Sequence, residues 1–233
     1  MKICEQPDYE AMSRAAAGMF REVVARKPDA LVCFATGGSP ARMYRILSED
    51  PLIRQSSIRA LALDEWHGIG ARHPATCRYY LEKHVFGPWG LPENRQYCFQ
   101  ADANNPEAEC RRMAAVLERE GPIDLCILGL GRNGHLGLNE PADGLLAHAH
   151  VASLDEKSQA HPMLVKEGVT LKQGLTFGMA DLLQSREILL LICGSGKREP
   201  ARAFLQGGIS TQLPASFLQL HAKTRVVIDA SIQ

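Results

Sequence analysis

Short apolar runs alternate along the chain with stretches whose apolar residues recur at helical spacing. Tyr9 to Ala25 sets Met12, Ala16, Met19, Phe20 and Val23 on one helical face. Leu31-Val32-Cys33-Phe34-Ala35 reads as a short buried strand. Thr36-Gly37-Gly38-Ser39-Pro40 then turns into a helix through Leu47, with Ser39 as N-cap and Pro40 at the first helical position. Ile58 to Leu63 predicts the next strand, ending on Asp64-Glu65-Trp66. His73 to Phe86, Pro106 to Arg119 and Lys197 to Gln206 read as helices. Ile123 to Leu128, Glu187 to Cys193 and Arg225 to Ile228 read as buried strands. Strands separated by helices predict a mainly parallel sheet with helices on both faces. The expectation is a Rossmann-like three-layer α/β fold, one domain over residues 1–233, without internal repeats or long linkers. Its ligand loops should leave the strand ends, at residues 36–40, 64–70, 129–141 and 194–198.

Composition narrows the class of partner. The 233 residues, 45% hydrophobic and 22% charged, suffice for one large α/β core. Lys+Arg and Asp+Glu both number 26, so no basic excess advertises nucleic acid or a membrane surface. Attraction for an anion must therefore be local, which points to a small-molecule ligand. A homo-oligomer remains compatible with the sequence. Seven cysteines form no C-x-x-C pair, and Cys33, Cys126 and Cys193 lie in apolar runs as small hydrophobes. The segment MKICEQPDYE carries no signal-peptide pattern, and no apolar run reaches membrane length; a reducing cytoplasm is the expected location.

Two glycine motifs suggest nucleotides and fail on inspection. Gly129-Leu130-Gly131-Arg132-Asn133-Gly134 matches G-x-G-x-x-G, but Gly137 and Pro141 are poor material for the helix that must follow. Gly194-Ser195-Gly196-Lys197 lacks the P-loop's first glycine, and Arg198 replaces its Ser/Thr. Thr36, Gly37, Gly38 and Ser39 are a better anion seat: two hydroxyls and two glycines at a helix start. A plain strand–turn–helix connection is the competing reading. Lys197 can add a point charge to that seat, or be a solvated lysine. Asp64 and Glu65 end an apolar strand and point opposite ways, so one of them can serve as a base facing the site while the other caps a helix or pairs on the surface. His135 has Asn133 and Glu140 close by, the orienting partners that a catalytic imidazole needs.

T-G-G-S-P, L-D-E-W, G-x-G-x-x-G-H-x-x-x-N-E-P and G-S-x-K, in this order, resemble the glucosamine-6-phosphate deaminase/isomerase family over nearly the whole chain. R-N-G-H-L-G-L-N-E-P and the tail Pro214 to His221, P-A-S-F-L-Q-L-H, are most similar to the bacterial galactosamine-6-phosphate isomerase/deaminase branch. The related 6-phosphogluconolactonases lack N-E-P after the histidine. The resemblance implies an amino-sugar 6-phosphate (galactosamine or glucosamine) converted to a ketose 6-phosphate and ammonia, with no metal and no other cofactor. It makes Asp64 the base between C2 and C1, His135 the ring-opening group and Glu140 its polarising partner. Thr36, Gly37, Gly38, Ser39 and Lys197 would hold the phosphate. Two departures stand out. Asn133 replaces the Asp of the glucosamine enzymes, leaving Glu140 alone to support an imidazolium through charge, with Asn133 able to orient the imidazole by hydrogen bonding. The family's phosphate-binding flap arginine has no counterpart in Lys157 to Leu164; His161, or Lys166 just beyond that stretch, can substitute. The chain also ends without the C-terminal extension of the hexameric members. Alternative readings are a phosphogluconolactonase-like hydrolase and a non-catalytic sugar-phosphate sensor.

Overall fold

Side chains along the buried strands alternate between two cores, which is why this sheet needs helices on both faces. Leu31, Cys33, Leu61, Cys126, Leu128 and Leu190 enter one core; Val32, Phe34, Ala60, Ala62, Leu125 and Ile127 enter the other. The computed structural model describes residues 1–232. Its strands are β1 (Lys2–Gln6), β2 (Leu31–Phe34), β3 (Arg59–Ala62), β4 (Asp64–His67), β5 (Gln96–Tyr97), β6 (Leu125–Gly129), β7 (His150–Ser153), β8 (Gln173–Thr176), β9 (Glu187–Ile192) and β10 (Thr224–Asp229). Its helices are α1 (Tyr9–Arg26), α2 (Gly38–Ser48), α3 (Pro51–Gln55), α4 (Cys77–Leu81), α5 (Gly87–Trp89), α6 (Pro106–Glu120), α7 (Glu156–Gln159), α8 (Pro162–Lys166), α9 (Met179–Leu183) and α10 (Arg198–Gln206).

Seven strands form one sheet in the order β1-β10-β9-β6-β2-β3-β5, every neighbouring pair parallel. Met12, Phe20, Met43, Tyr44 and Trp89 cover one face; Met113, Val116, Leu182 and Phe204 cover the other. The three-layer α/β expectation holds. A second, antiparallel sheet of β4, β8 and β7 was not foreseen. It has its own small core of Trp66, Ala75, Cys77, Leu138, Ala152, Leu154, Leu164 and Leu171. Among the described residues, no helix is long and apolar enough to cross a membrane.

Three local expectations are corrected. Ser39 is not an N-cap: Gly37, at φ 92°, caps α2, and Ser39 is its second residue without a cap hydrogen bond. The glycine's positive φ turns the chain one step early. The strand that starts at Arg59 stops at Ala62; Asp64 to His67 leave it for the second sheet, where Asp64 pairs with Thr176. The helix expected from His73 begins only at Cys77, because His73 Nδ1 accepts from Ala75 N and Thr76 Oγ1 accepts from Tyr79 N, bonds that close a turn and cap α4.

The core also fixes the end of β2. Tyr44, fully buried among Phe34 and Trp89, donates its hydroxyl to Ala35 O at 2.8 Å, immediately before Thr36. Tyr44→Phe keeps the ring packing and leaves that carbonyl short of a donor. Thermal or denaturant unfolding should register a loss of about 1–2 kcal/mol.

Candidate active site

β2 and β6 lie side by side, yet the chain leaves β2 towards β3 on one flank and β6 towards β9 on the other. Such a switch point opens a crevice at the carboxyl ends of the two strands. A cavity of about 660 Å³ occupies it. The turn after β2, the loop after β6, the turn after β9 and the start of β4 all reach it, as the four expected loops should.

Thr36, Gly37, Gly38 and Ser39 form one wall. The Tyr80 hydroxyl donates to Gly37 O and the Tyr9 hydroxyl to Gly38 O, both at 2.6 Å. Two carbonyls are thus held by tyrosines while α2 starts from the same turn, and the first N–H groups of a helix have no partner within it. Lys197, Arg132 and His161 add positive or protonatable groups to the same cavity. Burial and the neighbouring Arg132 pull Lys197 down to about 8. Burial, then His135, Lys197 and Arg132, push His161 down to about 4, so its imidazole is neutral near pH 7. Of the two flap candidates, His161, alongside Lys157, Ser158 and Pro162 of the same segment, lines the cavity. Lys166 is exposed outside it, beside Glu167. Arg132, masked in the sequence by the dinucleotide-like pattern around it, places a guanidinium near Lys197 from a different loop.

Asp64 and Glu65 divide the two roles that their alternation allows. Asp64 lines the cavity, nearly buried. Burial raises its carboxyl to about 6, against the lowering effects of His135 and Cys77. Glu65 points the other way and accepts from Trp66 N, Cys77 N and Arg78 N at 2.8, 2.7 and 2.8 Å. The helix-cap reading is true of Glu65 and leaves Asp64 for chemistry.

The glycine loop wraps around an imidazole. Gly131 N donates to His135 O, and Gly134 N to Gly131 O, closing a tight turn. A Cβ on Gly131 would lie 2.2 Å from His135 Cδ2 and 2.5 Å from Nε2. Gly134, at φ 88°, meets Leu213 just as closely. His135 Nδ1 is 3.1 Å from Glu140 Oε2, so an ionised Glu140 keeps the proton on Nδ1 and leaves Nε2 to act on a substrate. Asn133 does not reach the ring. Its Oδ1 accepts from the His135 backbone N at 3.1 Å, and its Nδ2 donates to Glu140 Oε2 (2.7 Å) and Asp155 Oδ2 (2.5 Å). Nor is Glu140 the only carboxylate here: Asp155, from the flap, is the second. Residues 155 to 158 carry an N-cap signal for α7 in the sequence, but nothing local tells that Asp155 turns towards Asn133.

The family model for glucosamine-6-phosphate isomerases and 6-phosphogluconolactonases matches residues 7–228, and the chain belongs to that family. It is 40% identical over 225 residues to the protein named putative deaminase AgaI of Escherichia coli (strain K12), covering 95% of this chain and 89% of that one. It is 36% identical to glucosamine-6-phosphate deaminase 1 of Bacillus subtilis (strain 168), over 98% of this chain and 97% of that one. Among solved structures, a monomeric glucosamine-6-phosphate deaminase of the NagB superfamily superposes over the full length of both chains with a TM-score of 0.94 at 34% identity. The 6-phosphogluconolactonase from Trypanosoma cruzi shares the fold, with a TM-score of 0.82 at 14% identity over 99% of this chain and 95% of that one.

The contact between Gly131 and the imidazole is directly testable. Gly131→Ala forces the ring aside. Turnover should fall about a hundredfold, the scale of a misplaced catalytic group, while circular dichroism and the melting temperature stay near wild type. A fully active variant would mean that His135 needs no such seat.

Proposed function

We propose that the protein is an amino-sugar-6-phosphate deaminase/isomerase, forming a ketose 6-phosphate and ammonia, with galactosamine 6-phosphate the preferred epimer. One observation carries the reaction class: a desolvated carboxylate, Asp64, and an imidazole braced by Glu140 share one cavity with a cationic phosphate seat. The preference between epimers rests on the R-N-G-H-L-G-L-N-E-P loop and the P-A-S-F-L-Q-L-H tail, which resemble the galactosamine branch.

In this reading the turn at residues 36–39 and Lys197 hold the phosphate, joined by Arg132, and so orient the sugar. Protonated His135 gives its Nε2 proton to the ring oxygen as the C1–O5 bond breaks, and the anomeric hydroxyl releases its proton to solvent to become the aldehyde. Asp64 then takes the proton from C2 of the open-chain amino aldose; the electron pair forms the C1=C2 bond and the aldehyde oxygen takes up a proton from solvent, giving an enolamine. Returning that proton to C1 leaves an imine at C2. Water adds at C2 and ammonia departs, giving the ketose. A carboxylate held near 6 is mostly ionised at neutral pH, yet basic enough to move a carbon-bound proton.

Ammonia release assayed on both amino-sugar phosphates tests the proposal. Activity on the galacto epimer is expected to exceed that on the gluco epimer, and absence of ammonia from both would overturn the assignment. Asp64→Asn should lose about 10²–10⁴ in kcat, the usual cost of a positioned base, with substrate-analogue binding within a few-fold. A fully active Asp64→Asn protein would remove the base from this mechanism.

The phosphate seat has its own pH signature. Lys197 is charged below about pH 8 and loses its proton above it, so KM for the phosphorylated sugar should climb on the alkaline side. Lys197→Ala should raise KM at every pH. Lys197→Arg, always charged, should flatten the alkaline rise. A Lys197→Ala protein with the wild-type KM for the phosphorylated sugar would exclude Lys197 from the seat.

A further inference from the structure

The hydrogen bonds around Asn133 close a circuit of five residues. His135 Nδ1 meets Glu140 Oε2 at 3.1 Å, and the same oxygen accepts from Asn133 Nδ2 at 2.7 Å. Asn133 Nδ2 also donates to Asp155 Oδ2 at 2.5 Å. Asp155 Oδ1 accepts from Ser158 N at 2.7 Å, and Ser158 Oγ returns to His135 Nδ1 at 3.3 Å. Three members sit on the loop after β6. The other two begin the flap helix α7, where Ser158 is buried.

A helix cap needs one oxygen on one N–H. Asp155 has a second oxygen, and it is spent on the amide that holds Glu140. The amide suits its place: an NH₂ group between two carboxylates gives each a donor, whereas a carboxylate at 133 would press three acceptors together. This also revises what Asn133 means. The negative charge missing at that position is present in space, supplied from the flap.

We propose that Asp155 is a positioning residue of the site: the carboxylate that caps α7 also holds Asn133 against Glu140 and adds a second negative charge beside the imidazole, so that the flap and a protonated His135 are ordered together. Its assignment to the deamination reaction rests on the function proposed above; its effect on the imidazole does not. Burial pushes the Asp155 carboxyl up, but the Ser158 amide, the Asn133 amide and the field of His135 together bring it below its ordinary value, so it is an anion here. The other charged or titratable groups around the ring are Glu140 and Arg132 from its own loop, Asp64 from β4, Lys157 and His161 from the flap, and Lys197 across the same cavity.

Asp155→Ser separates capping from positioning. Serine caps a helix about as well as aspartate, but it cannot also reach Asn133 and it carries no charge. The His135 ring is titrated by NMR in substrate-free wild type and variant, alongside pH profiles of kcat and KM. The melting temperature should be retained. The His135 midpoint should fall by about half a unit or more, since an opposite charge nearby favours the charged form. The limb of kcat/KM that reports protonated His135 should move to lower pH with it. kcat should fall about ten- to a hundredfold, the cost of a loosened catalytic group, with KM changed less. If the flap unfolds in Asp155→Ser, Asp155→Asn, isosteric and still a cap, serves for the same titration and should show the same downward move. An unchanged His135 midpoint in the folded variant overturns the proposal and leaves Asp155 a helix cap. A wild type that releases no ammonia sinks the deaminase reading instead, and the titration still decides the role of Asp155.

Discussion

Two parallel strands, β2 and β6, run side by side while their onward connections part, and the site exists because of the gap this leaves at their ends. Everything around the gap is backbone that must be held without filling it. Three tyrosine hydroxyls do part of this: Tyr44 on Ala35 O, Tyr80 on Gly37 O and Tyr9 on Gly38 O. They come from α2, α4 and α1, so three helices on one face of the sheet converge on four consecutive residues. On the other side of the gap, glycines at 131 and 134 let the β6 loop fold over an imidazole. Rigid strands supply the crevice, and small residues keep it open.

The second sheet gives the site its other half. β4 carries Asp64 on one face, while Glu65 on the other locks α4 in place through three backbone N–H groups. Trp66 from the same strand packs its ring 5.5 Å from that of His161 at the start of α8. Leu138 N, in the loop that carries His135, donates to Thr176 Oγ1 of β8. Asp64, the flap and the histidine loop are therefore tied to one small three-stranded unit. A shift of that unit would move all of them together relative to the turn at residues 36–39, which follows a strand of the large sheet.

Much of this was legible in the residues. Strands β2, β6, β9 and β10 are buried on both faces, so their apolar runs have few alternative readings. That Asp64, Lys197 and the 36–39 turn meet at one cavity was readable because they lie just beyond the apolar strands β3, β9 and β2, and the parallel topology brings strand ends together. The second sheet was not legible. QGLT and HVAS are short and mixed, and QGLT also pairs with β4, far back along the chain. Ser39 misled because its hydroxyl suits a cap, yet the preceding glycine decides where the helix starts. Asn133 misled for a different reason. It lies two positions before His135, but its side chain bonds across space to Glu140 and to Asp155, 22 residues away. Local spacing predicts which groups share a loop and is silent about which way an amide faces.

The low-lying Lys197 ammonium, crowded by Arg132 in a partly buried wall, has a thermodynamic corollary. On the proposed function, a phosphate dianion seated there would favour the charged amine, so that the ligand and a proton would bind cooperatively, each tightening the other by the same factor. Near pH 8, where the empty site carries that lysine only partly protonated, ligand association draws protons from the buffer. The heat of association then depends on the buffer's own ionisation enthalpy, and proton uptake becomes a property of this cavity as intrinsic as its shape.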